Sequence, residues 1–297
     1  MNYKRILVSI YKKSHTYLSR GNNMGRYSII AKFVRKTESI LKSDFAVVHG
    51  NKMFLDPYDS LSLSINGVYD EFDTKLIKEQ VKSGYRVIDL GANIGYHSLL
   101  FSNLVGKTGA VYSFEPNPNN VKLLKKSIEV NNIQNITVEQ YAASNTYSNC
   151  KLYLTDVSSN GTIRFDGAKE IESHKKEPII IDTLIIDDYF SEIELADKID
   201  FIKIDIEGFE LRALQGMSKI LEENKNLKIF IEFSTKAIRE AGSDPQEVLN
   251  ILETNGFTIY YVDDIKNKLD LADKKLLMTS NTCYKKTINL FCIKESK

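Results

Sequence analysis

Between residues 85 and 235, short apolar runs alternate with longer stretches whose apolar positions recur every three or four residues. The runs 86–90, 110–114, 136–142, 199–205 and 227–233 read as strands. The stretches 94–105, 117–131 and 209–221 read as helices, the last two with Val121, Leu124, Ile128 and Leu211, Leu214, Met217, Leu221 along one face. Such alternation predicts a parallel sheet covered by helices. It stalls over 150–190, where 150–154, 161–165 and 179–181 predict an inserted antiparallel β segment and 182–190 a helical turn. Pro245 opens a helix that Gly256 ends. Two last strands, 257–262 and 288–293, are expected to pair antiparallel, with only weak helical signal over 263–287.

Ahead of this fold, 45–55 predicts a hairpin about His49-Gly50-Asn51, and 73–82 a helix running into Gly84. Residues 1–44 predict two helical segments broken around Gly21-Asn22-Asn23, with Tyr3, Ile6, Leu7, Ile10 and Tyr11 as a docking face. The expected divisions are a basic arm at 1–44, a hairpin and lid helix at 45–84, and the main domain at 85–297.

Apolar residues make up 42% of the 297 and charged residues 27%, an ordinary balance for a globular chain large enough to bury a core. No apolar run approaches a membrane span. The apolar run near Met1 is interrupted by Lys12 and Lys13 and lacks a small-residue cleavage site, which argues against a signal peptide. Cys150, Cys283 and Cys292 are odd in number and lack metal-ligand spacing, as expected of free thiols in a reducing, cytoplasmic setting. The net charge of +1 is unevenly spread. Residues 1–44 hold ten Lys/Arg against Glu38 and Asp44, and the remainder is acidic. A basic arm of this kind suits weak contact with an anionic membrane surface or a nucleic acid. The plainer reading is an amphipathic helix packed on the domain.

The candidate chemistry lies in Val87-Ile88-Asp89-Leu90-Gly91-Ala92-Asn93-Ile94-Gly95, a strand, a tight turn and a helix start. Amides opening a helix receive polar ligand atoms. A dinucleotide fingerprint wants Gly-x-Gly-x-x-Gly, but position 93 is Asn and Asp89 would repel a pyrophosphate. A nucleoside carrying an amino acid fits better, and S-adenosyl-L-methionine is such a molecule. Glu115 ends the second strand, where a carboxylate can accept both ribose hydroxyls.

Three stretches, Val87–Gly95 with Tyr96-His97, Phe114-Glu115-Pro116-Asn117, and 199–208 with its continuation to Gly216, resemble the FkbM family of S-adenosylmethionine-dependent methyltransferases over about residues 65–235. The resemblance implies a Rossmann-like methyltransferase fold, an α/β sheet of seven mostly parallel strands with a reversed last strand. It also implies O-methylation of a sugar, glycan or other small-molecule acceptor. It places the cofactor loop on Asp89, Gly91, Asn93 and Gly95, the ribose acid on Glu115 with Pro116 and Asn117 shaping the adenine loop, Ala143 and Ser144 near the adenine edge, and Asp205 beside the methionine moiety.

Methyl transfer to oxygen needs an aligned acceptor and a group to take its proton. Lys203 and Asp205 share a strand face and Glu207 follows, so a lysine beside two acids can tune one as a base. The alternative is an ion pair that fixes the strand. His97, in the first turn after the glycine loop, is a further candidate base or an ordinary helix-terminal histidine. Asp182 with Asp205, Glu207 and His97 has no fixed metal spacing, and no metal is expected. Tyr69 and Glu71 could close over the cofactor. Rival readings are an RNA methyltransferase using the basic arm, a silent nucleotide-binding scaffold, and a dinucleotide dehydrogenase.

Overall fold

The computed structural model describes residues 43–57, 59–154, 161–164, 177–278 and 287–294. The helices expected within the basic arm, and Cys283, lie outside them. The chain opens with the hairpin β1 (Phe45–Val48) and β2 (Asn51–Phe54), then the short α1 (Leu63–Asn66) and α2 (Glu71–Gln80). His49 and Gly50 both have positive φ, as a two-residue turn matched to strand twist requires. The hairpin docks on a later helix, where Asn131 Oδ1 accepts from the Lys52 amide at 2.9 Å and Ser127 Oγ from the Phe54 amide at 2.9 Å.

The main fold follows as β3 (Arg86–Leu90), α3 (Tyr96–Val105), β4 (Ala110–Phe114), α4 (Pro118–Val130), β5 (Ile136–Glu139) and β6 (Ala142–Ser144). Asn117 caps α4, accepting from the Asn119 amide, with Pro118 in the first turn. Next come β7 (Asn149–Leu154), β8 (Gly161–Arg164), β9 (Ile179–Ile185), α5 (Ile186–Glu192), β10 (Phe201–Ile204), α6 (Glu210–Gln215) and α7 (Ser218–Glu223). The chain continues through β11 (Lys228–Phe233), α8 (Thr235–Glu240), α9 (Pro245–Thr254), β12 (Phe257–Asp263), β13 (Lys268–Leu271), α10 (Lys274–Met278) and β14 (Ile288–Lys294).

The large sheet has the order β13-β12-β14-β11-β10-β3-β4-β5. β10, β3, β4, β5 and β11 run parallel, while β14 runs against both β11 and β12. The Rossmann-like sheet with its reversed strand is therefore present. The expected seven strands become eight, because β13 pairs antiparallel on β12 at the edge, in a stretch that carries only weak helical signal. β6, β7, β8 and β9 form a separate sheet in the order β6-β9-β7-β8.

Three expected elements change. The strand over 136–142 divides, β5 in the large sheet and β6 in the small one. Residues 182–185 continue β9 rather than starting a helix, since Ile181 and Thr183 point inward while Asp182 faces out, the two-residue period of a strand. The helix over 209–221 breaks at Gly216-Met217. Gly216 packs so closely on the Ser144 carbonyl that a Cβ there would lie 2.1 Å from its oxygen. The second piece has its own cap, Asp187, which accepts from the amides of Lys219 (2.8 Å) and Ile220 (3.0 Å).

Central strands are buried on both faces, as parallel sheets are. Ile88, Leu90, Ile202 and Ile204 pack on one side with Leu214, Met217 and Leu249, and Val87 and Phe201 on the other with Leu76, Leu100 and Phe101. Asp89 and Lys203 share that second side.

Candidate active site

At the carboxyl ends of β3, β4 and β10 a cleft opens, enclosing about 1030 Å3 with its mouth included, where ligands bind in open α/β sheets. Its walls carry Gly91, Asn93, His97, Glu115, Pro116, Asn117, Ala143, Lys203, Asp205 and Glu207. All ten are among the residues singled out in the sequence. Asp89 and Gly95 lie behind the wall. Asp89 is fully buried beneath the turn, where its Oδ2 accepts from Ser98 Oγ at 2.6 Å and its Oδ1 lies 3.7 Å from Lys203 Nζ. Asp89 is thus buried below the turn, outside the cleft wall. At Gly95 a Cβ would meet the Leu124 side chain at 2.3 Å, which makes it a packing glycine.

The turn is shaped by close approach. Gly91 has φ +77°, and a Cβ there would fall 1.9 Å from the Asp205 carbonyl oxygen, so only glycine fits between β3 and the end of β10. Asn93 sits at φ 51°, a conformation asparagine tolerates. Its amide donates to Glu115 Oε2 at 2.8 Å, and its own Oδ1 accepts from the Ile94 amide at 2.7 Å. Glu115 Oε1 accepts from the Asn117 amide at 2.9 Å and from Asn120 Nδ2 at 3.3 Å. Burial still pushes the Glu115 carboxyl up to about 7, against these donors.

Lys203 is buried between two acids, with Asp205 Oδ2 at 3.2 Å and Asp89 Oδ1 at 3.7 Å, and it donates to the Gly91 carbonyl at 3.3 Å. Burial alone would lower its pKa; Asp205 and Asp89 outweigh that and hold the ammonium charged. Burial, then Asp205, raises Glu207, which follows in a turn at φ 55° before Gly208. His97 lies against Tyr96 and Phe101 with its Nε2 shielded from water and not hydrogen bonded. Burial, Lys203 and His49 keep it neutral, with a pKa well below the ordinary histidine value.

The sequence reading missed Asn120, Tyr141, Phe209 and Glu232, all in the wall. The signal for Glu232 was its place near the end of β11, matching that of Asp205 just beyond β10. Tyr69 also lines the cleft, its amide held by the Tyr96 hydroxyl at 3.1 Å, whereas Glu71 lies in a neighbouring hollow. Ser144 is buried in β6 away from the wall. Asp182 on β9 takes a hydrogen bond from Asn149, apart from Asp205 and His97, and among the described residues no group of acids and histidines forms a metal site.

The residues fit S-adenosyl-L-methionine. Glycine backbone leaves room at Gly91, a carboxylate stands at the second strand, and the one lysine in the wall is already held by two acids. That donor set attracts sulfonium and ammonium groups and offers little to a diphosphate. The sheet order, with its reversed strand and the cleft at its carboxyl edge, is that of a Rossmann-like methyltransferase fold. Residues 89–259 match the Methyltransferase FkbM domain, more than half of the chain, and the protein belongs to that family.

Among similar proteins is the hexuronic acid methyltransferase AglP of Haloferax volcanii, 25% identical over 60% of this chain and 65% of that one. The chain thus covers just under two thirds of that relative. Methyltransferase 1 of Beauveria bassiana is 19% identical over 58% of this chain and 72% of its own. A SAM-dependent methyltransferase structure from Aquifex aeolicus aligns with a TM-score of 0.41 at 17% identity, covering 81% of this chain and 99% of that one. Among the described residues no helix is long and apolar enough to cross a membrane. The basic arm, and the membrane-surface or nucleic-acid contact expected of it, lies outside the described residues apart from its last two positions.

Proposed function

We propose that the protein methylates a hydroxyl oxygen on a sugar, glycan or other small molecule. The observation that carries this reading is the row Lys203, Asp205 and Glu207 at the end of β10, which sets two carboxylates in the cleft wall across from Glu115. The similarity to a hexuronic acid methyltransferase of Haloferax volcanii supports a saccharide acceptor.

Bound S-adenosyl-L-methionine supplies a methyl carbon on a sulfonium that departs as a neutral thioether. Glu115 accepts hydrogen bonds from the ribose hydroxyls, with Asn93 and Asn117 fixing its two oxygens. Ala143 and Pro116 border the adenine. Asp205, braced by Lys203, receives the ammonium and orients the methionine moiety. Glu207 takes the proton of the acceptor hydroxyl as the new C–O bond forms, aided by a pKa raised toward that task. Neutral His97, on the same wall, is the alternative proton acceptor. Asp89 acts through Lys203 and the turn.

Calorimetric titration with S-adenosylhomocysteine, with NAD as control, tests the cofactor. Micromolar binding that Glu115→Ala abolishes is expected, and no binding to folded protein would overturn the reading. Product chemistry tests the acceptor atom: an O-methyl ether survives mild alkali, whereas a methyl ester is hydrolysed.

A further inference from the structure

Tyr69 reaches the cleft from outside the matched domain, which begins at residue 89. It stands in the same wall as Asp205 and Glu207. Its peptide is held at both polar ends. The Tyr69 amide donates to the Tyr96 hydroxyl at 3.1 Å, and the Tyr69 carbonyl accepts from Thr74 Oγ1 at 3.0 Å. The Tyr96 and Thr74 hydroxyls themselves lie 3.0 Å apart. The Thr74 proton is already on the carbonyl, so the Tyr96 proton points to Thr74 Oγ1. The three bonds close a circuit that uses each proton once. Tyr96 is 2% exposed and Thr74 3%, so water does not compete for it.

Tyr96 is the first residue of α3, directly after Gly95 of the turn. The circuit therefore ties residue 69 to the glycine turn. The two tyrosine rings meet edge to face, with centroids 5.8 Å apart and planes at 79°. The next residue, Asp70, sits at φ 42°, a left-handed conformation that persists where the surroundings hold it. The phenol end is held as well, since the hydroxyl bonds the Asp70 carboxylate. Burial, then Asp70, Asp205 and Glu232, raises the Tyr69 pKa above the ordinary tyrosine value, so the phenol stays neutral. Backbone, ring and hydroxyl each have a partner, and the ring is set in place before a ligand arrives.

A fixed aromatic ring in a wall of carboxylates suits a cation. S-adenosylmethionine carries two, an ammonium and a sulfonium. The ammonium has three N–H donors and seeks carboxylate oxygens. The sulfonium has no donor to offer, and the negative face of an aromatic ring is the group that attracts it without a hydrogen bond. We propose that the Tyr69 ring receives the sulfonium of S-adenosylmethionine, with Tyr96 and Thr74 as the positioning residues that hold it there. The inference rests on the methyltransferase reading and deepens it. The protein thereby tells the charged cofactor from S-adenosylhomocysteine, the neutral product, and favours release of the product over the cofactor.

The test is calorimetric titration of the full chain with S-adenosylmethionine and with S-adenosylhomocysteine, without acceptor. The expected result is a Kd for S-adenosylmethionine at least about threefold below that for S-adenosylhomocysteine, on the scale of a cation over a ring. Tyr69→Phe keeps the ring and should keep that ratio. Tyr69→Leu should bring the ratio near one with little change in S-adenosylhomocysteine affinity. Tyr96→Phe opens the circuit and should lower the ratio in the same selective way, whereas a general loss of structure would weaken both ligands alike. Equal binding of the two ligands by the unaltered chain would overturn the proposal. So would a ratio unchanged in Tyr69→Leu or, if that variant does not fold, in Tyr96→Phe. A ratio lost in Tyr69→Phe would assign the effect to the hydroxyl and overturn the role of the ring. No binding of either ligand by the folded, unaltered chain would overturn the methyltransferase reading beneath it.

Discussion

Lys203 stands opposite Asp89 in the parallel β3–β10 ladder, its ammonium 3.7 Å from the carboxylate and both side chains nearly sealed from water. The pair is extended by Ser98 and Ser113, whose hydroxyls run from Asp89 toward β4. This polar chain crosses three strands just below the glycine turn. It fixes the turn from beneath, and Asp205 draws the same lysine toward the cleft.

Removing one member strands a buried charge. Lys203→Met should cost about 3–5 kcal/mol of stability, because Asp89 loses its counterion in a dry site. The double variant Lys203→Met with Asp89→Asn should recover a large part of that loss. Urea unfolding of the two variants beside the parent checks it, and equal losses would mean that the pair is not the reason.

The Glu115 carboxyl predicts a pH dependence. Its folded pKa of about 7 exceeds the ordinary 4.5, so between those values the folded state holds a proton that the unfolded state has released. This group's contribution to stability is therefore fully present below pH 4.5 and is lost as pH rises through 7. Acceptance of ribose hydroxyls requires the ionised form. Affinity for S-adenosylhomocysteine should climb from pH 6 to 8, by at most about tenfold per unit for one linked proton. In Glu115→Gln the profile should be weak and flat, as read by calorimetry across the range.

Two glycines with similar φ separate strain from collision. Gly50 has φ +84° with nothing within 4 Å of a built Cβ, whereas Gly91 has φ +77° and the Asp205 oxygen at 1.9 Å. Gly50→Ala should cost only the left-handed strain, about 1–2 kcal/mol. Gly91→Ala should cost more and abolish S-adenosylhomocysteine binding, since β3 and β10 must part. Thermal unfolding and calorimetry on both variants decide this.

Asp205→Asn and Glu207→Gln distinguish the acids. A proton acceptor is worth roughly 10²–10⁴-fold in rate. Glu207→Gln should lower kcat on that scale and leave the S-adenosylhomocysteine Kd within a few-fold. Asp205→Asn should weaken cofactor binding as well. Wild-type kcat in Glu207→Gln would transfer the role to His97.

The parallel strands were legible because fully buried strands are short apolar runs punctuated by turn residues. β3 and β4 coincide with the runs at 86–90 and 110–114. The lining of the cleft was legible because Gly91, Asn93, Glu115 and Asp205 all sit at or just past strand ends, where an acid or glycine interrupts the apolar pattern. The rest depends on distant partners. Gly216 breaks a continuous helical pattern only because the Ser144 carbonyl lies against it. Asp89 has the sequence position of a ligand acid, but Lys203, far along the chain, takes its carboxylate instead. β13 is an edge strand of Lys268–Leu271, too polar to stand out. Glu232 lies opposite Asn289, which in turn bonds Asp73 of α2, and neither is near it in sequence.

β14 enters the sheet between β11 and β12, both made before it. In the order of synthesis, β12 and β13 leave the ribosome as a hairpin with no partner on the growing sheet, and β11 waits with an open edge. That edge is the unpaired ladder of Ile229, Phe230 and Ile231, apolar and prone to pair with another chain. The sheet closes only when residues 288–294 slot between the two, and the Asn289 to Asp73 bond then joins parts of the chain made 216 residues apart. The wall carrying Asp73, Glu232 and Asn289 is thus among the last parts of the protein to exist, and a chain halted before residue 288 would carry a formed glycine turn with no floor behind it.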